Sequence, residues 1–133
     1  MLYYAINRWQ PPLIEKIKIN LDVTVGSKGC GCAAVARDSN SDYQGGKSKE
    51  LEFNSPSEAE ANGALIVIGL AISKGFRNII LEGDSLTVIN SLRYKNSDPP
   101  WRIRNKINNI GDKISSFNSV EFSIVKKDAN VLA

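Results

Sequence analysis

Residues 55–85 read SPSEAEANGALIVIGLAISKGFRNIILEGDS, and this stretch contains the elements that decide the fold. Ser55 precedes Pro56, and Glu58 follows three positions after the serine, which predicts a helix start with a capping box. Apolar residues then recur at helical spacing until Gly75, which predicts the helix end. A short apolar run, closed by Gly-Asp, follows directly. The stretch therefore predicts a helix that leads into a buried strand.

Four further segments have the pattern of strands, and residues 17–22 alternate apolar and polar side chains most clearly. The predicted strands cover residues 17–22, 30–37, 43–53, 78–82 and 120–125. Further helices are predicted over residues 85–93, 101–117 and 126–133. The order is a three-strand meander followed by alternating helices and strands. This order predicts an α/β domain with a five-stranded mixed sheet, helices on both faces, and the polar third strand at an edge.

The composition is that of one folded domain, with 133 residues, 42% hydrophobic and 23% charged. The chain contains no histidine, which excludes Ser-His-Asp triads, Cys-His pairs and histidine-ligated zinc sites. No apolar run reaches the roughly 18 residues that a membrane-spanning helix requires. The first residues lack the order of a secretory signal. We therefore expect an intracellular protein with no membrane partner.

The two cysteines, Cys30 and Cys32, are separated by one residue on a predicted strand, so both side chains point to the same face. A disulfide between such close neighbours is geometrically difficult. We expect two reduced cysteines that pack as small apolar residues.

Three acidic residues are candidates for a shared site. If the strands before and after the long helix lie parallel in one sheet, Asp22 and Asp84 end at the same edge, and Glu60 lies near the start of the helix between them. Carboxylates brought together without cations repel each other, and a bound Mg²⁺ or Mn²⁺ resolves the repulsion. The alternative is structural: the aspartates form turns at strand ends, and Glu60 interacts with the helix dipole.

Basic residues are concentrated late in the chain, whose formal charge is +3 and whose pI is near 8.9. Arg102, Arg104 and Lys106 are candidates for phosphate contacts, although a solvated helix face explains such a cluster equally simply. Trp101 lies beside them after two prolines. A tryptophan in this position is more often a core anchor than a residue that stacks on nucleic acid.

Several stretches together resemble the ribonuclease H (RNase H) type 1 family, and specifically the reverse-transcriptase-like RNase H domains of plants. The resemblance extends from Trp9 to Ala133. Its motifs are WQPPLIEKIKINLD (9–22), GCGCAAVARDSNSD (29–42), SPSEAEANGALIVIGLAISKG (55–75), NIILEGDSLTVINSL (78–92) and VKKDAN (125–130). Their order and intervals match the family.

The resemblance implies an RNase H-like fold and a metal-dependent endoribonuclease that cleaves the RNA strand of RNA–DNA hybrids with two Mg²⁺ or Mn²⁺ ions. By motif, Asp22, Glu60 and Asp84 take the catalytic and metal-binding roles, with Asp22 shared by both ions. The partner implied is an RNA–DNA hybrid, and we expect a monomer.

The sequence departs from the family pattern at two places. The residue after the first aspartate is commonly glycine or another small residue, whereas here it is Val23, whose side chain is expected to crowd the hybrid or be tolerated. The last motif normally ends in a fourth site residue, Asp or His, but residues 126–133 match it only up to its alanine. We therefore expect residues 1–133 to form a single domain truncated in its terminal helix.

Two alternatives to catalysis follow. A domesticated RNase H-like domain of weak or no activity would bind nucleic acid or a protein, and an unrelated α/β binding module would carry the acidic edge without metal chemistry.

Overall fold

The computed structural model describes residues 15–26, 29–51, 55–94 and 97–125. The strands, in chain order, are β1 (Ile17–Gly26), β2 (Gly29–Arg37), β3 (Tyr43–Leu51), β4 (Asn78–Gly83) and β5 (Ser119–Ile124). The helices are α1 (Pro56–Lys74), between β3 and β4, and α2 (Leu86–Arg93) and α3 (Trp101–Ile114), between β4 and β5.

The five strands form one mixed sheet in the order β3-β2-β1-β4-β5. The meander β1-β2-β3 is antiparallel, whereas β4 pairs with both β1 and β5 in parallel. The predicted five-stranded mixed sheet is confirmed, and β3 lies at an edge as expected. A polar strand tolerates this position because one side of its backbone faces water.

Helix α1 begins and ends where the sequence predicts. The Ser55 hydroxyl accepts a hydrogen bond from the Glu58 N–H at 3.5 Å, and Pro56 occupies the first helical position, where its missing N–H costs nothing. Gly75 ends the helix with φ of 75°, and its N–H donates to the Ile72 carbonyl at 3.1 Å. This left-handed conformation favours glycine because it carries no Cβ.

One half of the predicted capping box is absent. The Glu58 carboxylate interacts with the Arg102 guanidinium at 3.4 Å instead of returning to the Ser55 N–H. The Glu58 side chain thus forms an ion pair with a neighbouring helix instead of capping its own helix. The local sequence does not reveal this tertiary contact.

Two element boundaries differ from expectation by three residues or more. Strand β1 continues to Gly26, four residues past the predicted end, because its last residues pair with β2. Helix α3 ends at Ile114 rather than Phe117, since the N–H groups of Ser116 and Phe117 bond three residues back in a tight turn. This turn directs the Phe117 ring into the core. The helix predicted over residues 126–133 lies outside the described residues.

The core lies between one face of the sheet and the helices α1, α2 and α3. The alternate residues of β1 that face the helices are buried, as are their neighbours in β2 and β4. The buried residues of these three strands include Ile19, Leu21, Cys30, Cys32, Ala34, Ile79 and Leu81. Both cysteines are buried in this core, and no disulfide joins them. In the part of the chain described, none of the helices combines the length and apolar character needed to cross a membrane.

Close contact between α1 and β1 depends on Gly63. A Cβ at this position would lie 2.9 Å from Leu21 Cδ1, and the Leu21 side chain is almost fully buried. Glycine therefore lets the helix backbone approach the strand directly beside Asp22, whereas Gly69 on the same helix faces open space.

We predict opposite effects for alanine at these two glycines. Gly63→Ala should lower the free energy of unfolding, because overpacking costs about 1–3 kcal/mol while the gain in helix propensity returns only about 1 kcal/mol. Gly69→Ala should raise it by up to about 1 kcal/mol, because the helix gains propensity without a clash. Urea titrations of both variants and the parent measure the difference. Equal shifts in the two variants would contradict close packing at Gly63.

Candidate active site

The register of two parallel strands places Asp22 and Asp84 side by side. Asn20 of β1 pairs with Glu82 of β4, the last pair in this ladder. Asp22 and Asp84 each follow two residues later, so both lie at the same edge of the sheet. The prediction that Asp22 ends its strand is wrong, because β1 continues alongside β2 and Asp22 pairs there with Ala33. Its position at the edge of the β1–β4 ladder is nevertheless the one expected.

Glu60 is placed at the same edge from the helical side. Its side chain is only 2% exposed, and it is the one charged residue among the buried side chains of the described residues. Its Oε2 atom accepts a hydrogen bond from the Ser85 N–H at 2.8 Å. This bond ties α1 to the junction between β4 and α2. The acid that the sequence leaves without a capping role is therefore the buried one.

Gly83 and Ser85 position Glu60, and motif reasoning assigned neither residue this role. A Cβ on Gly83 would lie 3.0 Å from Glu60 Oε2, so a side chain there would press on the carboxylate. Ser85 caps α2 through its hydroxyl, which accepts from the Val88 N–H at 3.4 Å, and donates its own N–H to Glu60. The Gly-Asp-Ser sequence at residues 83–85 indicates a tight turn before a helix. It does not reveal that the Ser85 N–H binds Glu60, which lies 25 positions earlier in the chain.

The three carboxylates interact electrostatically. Burial raises the pKa of Glu60 from 4.5 to about 7. The hydrogen bond from Ser85 opposes this rise, whereas the charge of Asp84, a side-chain hydrogen bond with Asp84 and the charge of Asp22 add to it. Like charges at short range disfavour ionisation. The structure therefore brings together the three residues that the sequence predicted.

Asp22 has an unusual environment for a carboxylate. Its Oδ1 atom is buried and has no hydrogen-bond partner within the described residues. Buried carboxylate oxygens are normally paired, so an orphaned one indicates a missing partner. The side chains of the described residues do not, as they stand, place three acidic or thiol groups around one point that could hold a metal ion.

A network of polar side chains adjoins Asp22 on the sheet face opposite the helices. Glu82 accepts a hydrogen bond from the Asn20 amide at 3.0 Å and forms an ion pair with Lys18 at 3.4 Å. Lys18 therefore neutralises the charge of Glu82 and Asn20 orients its carboxylate, so this acid already has partners.

A shallow groove begins at Asp22 and runs over the open face of β1, β2 and β3. Small residues lie across from the polar ones: Ala33 pairs with Asp22, and Gly31 pairs with Thr24. The groove is further lined by Ser48, Lys49 and Glu50 of β3. Small side chains beside Asp22 leave room for a bulky molecule to approach the strand backbone.

The Val23 side chain does not crowd this groove. It is 7% exposed and belongs to the core between the sheet and the helices, because alternate residues of a strand point to opposite faces. Its neighbour across the ladder is Cys32, also buried. Of the two alternatives for the residue after Asp22, the structure therefore favours a side chain that is tolerated.

The basic candidates lie on α3, and two of them already have acidic partners. Arg102 pairs with Glu58, and Arg104 pairs with Asp98 at 2.9 Å and donates to the Pro99 carbonyl at 3.0 Å. Lys106 is half-buried. Their contact with phosphate stays a prediction.

The expectation that Trp101 anchors the core is wrong. The side chain is 74% exposed, and the Arg102 guanidinium lies 4.9 Å from the centroid of its ring. The core position one turn into α3 is taken by Ile103, which is fully buried. Helix α3 begins directly after Pro99 and Pro100, and the Trp101 side chain lies on the solvent-facing side of its first turn.

We predict that Glu60 makes the stability of the metal-free protein depend on pH. Its pKa is about 7 when folded and near 4.5 when unfolded, so between these values the folded state binds more protons. The stabilisation that protonated Glu60 gives the folded state is complete below about pH 4.5 and is lost as the pH rises through 7. In EDTA, the free energy of unfolding should fall across this window by at most about 3 kcal/mol.

Glu60→Gln tests the assignment, because glutamine keeps an oxygen for the Ser85 N–H and does not ionise. Its stability from pH 4.5 to 8, measured by urea unfolding in EDTA, should fall less than that of the parent. A fall as large as the parent's would assign the pH dependence to other groups.

Comparisons with known proteins agree with the fold described above. The chain is similar to RNase H1 from the halophilic archaeon Halobacterium salinarum, with 17% identity, a TM-score of 0.80, and 89% of this chain and 91% of that chain covered. It is also similar to the N-terminal RNase H domain of a Mycobacterium tuberculosis protein, with 18% identity, a TM-score of 0.76, and coverage of 89% and 92%.

A third similar structure is LC11-RNase H1, isolated from compost, in complex with an RNA/DNA hybrid; the identity is 15%, the TM-score 0.75, and the coverage 88% and 90%. The comparison with curated proteins found no match. Residues 20–133 match the family described as reverse transcriptase-like. With this match over most of its length and the strand order of the sheet, the chain belongs to the reverse transcriptase-like family and has the RNase H fold.

Proposed function

We propose that this protein is a metal-dependent endoribonuclease that hydrolyses the RNA strand of RNA–DNA hybrids. The observation that carries the proposal is the placement of Asp22, Asp84 and the buried Glu60 at one edge of the sheet. The binding of an RNA/DNA hybrid by LC11-RNase H1, which has the same fold, supports the substrate class.

The donor set fits divalent cations. Asp22, Glu60 and Asp84 supply hard carboxylate oxygens, the ligands that Mg²⁺ and Mn²⁺ prefer. The orphaned Oδ1 of Asp22 is a buried acceptor without a partner among the described residues. The pKa of Glu60 is raised chiefly by burial and further by the charges of Asp84 and Asp22, and a cation would offset both effects. The three residues would hold two ions, with Asp22 shared between them. When bound, such ions activate water and stabilise the leaving oxygen of a phosphodiester.

The protein's own residues prepare the site for this chemistry. The Ser85 N–H holds Glu60 in place, and the absence of a side chain at Gly83 leaves room for its carboxylate. Small residues at Gly31 and Ala33 let a nucleic-acid backbone lie in the groove beside Asp22. Arg102, Arg104 and Lys106 are proposed phosphate contacts; for the two arginines, exposed ion pairs would exchange at little cost in free energy.

One observation favours a second candidate, a domain of weak or no activity that binds nucleic acid or a protein. The described acidic side chains do not converge on a point where three could hold a metal ion. Hybrid binding in EDTA without cleavage in Mg²⁺ or Mn²⁺ would support this candidate over the first.

We predict that Asp84→Asn abolishes cleavage of a labelled RNA–DNA hybrid. The substitution removes a charge that acts on Glu60 and a proposed metal ligand, so the rate in Mg²⁺ should fall by at least about 100-fold. Asp112→Asn, the same chemical change on an exposed residue of α3, is the matched control and should retain the parent rate. Equal rates in Asp84→Asn and the parent would refute the assignment.

Metal binding has a test that does not require cleavage. Mg²⁺ should raise the midpoint of thermal unfolding of the parent, because a ligand that binds only the folded state stabilises it. Asp22→Asn should lose this response, measured by thermal denaturation over a Mg²⁺ titration. A response of undiminished size in Asp22→Asn would place the ion elsewhere.

A further inference from the structure

The indole of Trp101 has no part in the proposed cleavage and is unusually exposed. At 74%, it is the most exposed of the large hydrophobic side chains in the described residues. Leaving a tryptophan in water forgoes the hydrophobic stabilisation that burial would provide. Its exposure next to a site for a large substrate indicates a contact surface.

Two contacts of its neighbours in α3 place Trp101 near the start of α1. It is the first residue of α3, and the next residue, Arg102, pairs with Glu58 at 3.4 Å. Glu58 lies in the first turn of α1, two residues before Glu60. Ile103 packs in a buried cluster that includes Ala61 of α1. The start of α3 is therefore held against the start of α1, at the edge where the acids lie.

The ring is held with one face available. The Arg102 guanidinium lies over the indole, 4.9 Å from the ring centroid, and the Glu58 carboxylate holds Arg102 in turn. A cation over one face orients the ring and adds positive charge beside it. The high exposure of the indole leaves ring surface for a second planar group.

We propose that Trp101 stacks on an unpaired nucleobase of a single strand that extends from the RNA–DNA hybrid. A base inside a duplex has both faces covered by its neighbours, so only an unpaired base offers a free face to an indole. The exposed, cationic Arg102 and Arg104, which follow Trp101 by one and three residues on the helix, suit a polyanion better than an apolar protein surface. The inference rests on the proposed function, since it takes the hybrid as the molecule bound beside Glu60.

The test compares binding of three ligands in EDTA, where metal-dependent cleavage does not occur. They are a blunt RNA–DNA hybrid, the same hybrid with a short single-stranded DNA overhang, and that hybrid with an abasic overhang. The parent should bind the overhang hybrid more tightly than the other two. Trp101→Ala should weaken binding of the overhang hybrid by between about 5-fold and 100-fold and leave the blunt hybrid unchanged, whereas Trp101→Phe should retain most of the affinity.

Tyr43→Ala is the matched control. Tyr43 is an aromatic residue with 67% exposure. It begins β3, the outermost strand of the sheet, and pairs with Arg37 of β2. Its loss should therefore change none of the affinities. The chain has two tryptophans, and Trp9→Phe leaves Trp101 as the reporter. The fluorescence of Trp101 should be quenched by the hybrid with the single-stranded DNA overhang and not by the hybrid with the abasic overhang.

The remaining outcomes separate the two proposals. Failure of the parent to bind any hybrid would overturn both the proposed function and this inference. Hybrid binding with no gain from the overhang, or with equal losses for blunt and overhang hybrids in Trp101→Ala, would overturn the stacking inference alone. An equal gain from the abasic overhang, weakened strongly by salt, would assign the contact to phosphates instead. Equal thermal midpoints of Trp101→Ala and the parent will confirm that the folded state is intact.

Discussion

The hydrogen bond from the Ser85 N–H to the buried carboxylate of Glu60 is the contact on which the site depends. It joins the second turn of α1 to the junction of β4 and α2, and it partly offsets the desolvation of a carboxylate. The Glu60 side chain is 2% exposed, and among the contacts that change its pKa this donor is the one that stabilises the ionised form. The bond holds Glu60 among charges that repel it.

Two glycines make this arrangement sterically feasible. At Gly63 the missing side chain lets α1 approach Leu21, the residue before Asp22, and at Gly83 it leaves space for the carboxylate of Glu60. The distance between α1 and the sheet therefore depends on Gly63 and Gly83 having no side chain. The result is a buried acid whose pKa is raised towards neutrality, an arrangement typical of functional sites and unfavourable for stability alone.

The carboxylate edge and the start of α3 are parts of one surface. The ion pair between Glu58 and Arg102 connects them, and it accounts for both the incomplete capping box and the orientation of the Trp101 ring. Local sequence rules describe Glu58 as a capping residue and Trp101 as a core residue. The side chain of Glu58 does not cap α1 because it pairs with Arg102 on another helix, and Trp101 is exposed because Ile103 takes the core position at the start of α3.

The amino-acid sequence by itself determined the elements and the candidate acids. Helix caps, the alternation of strands and the lack of histidine are local or compositional properties, so the five strands, α1 and the assignment of chemistry to carboxylates were predictable without coordinates. The tertiary structure decided how the elements meet. The β1–β4 register, the burial of Glu60 and the exposure of Trp101 depend on contacts between residues far apart in the chain, and periodicity does not encode such contacts.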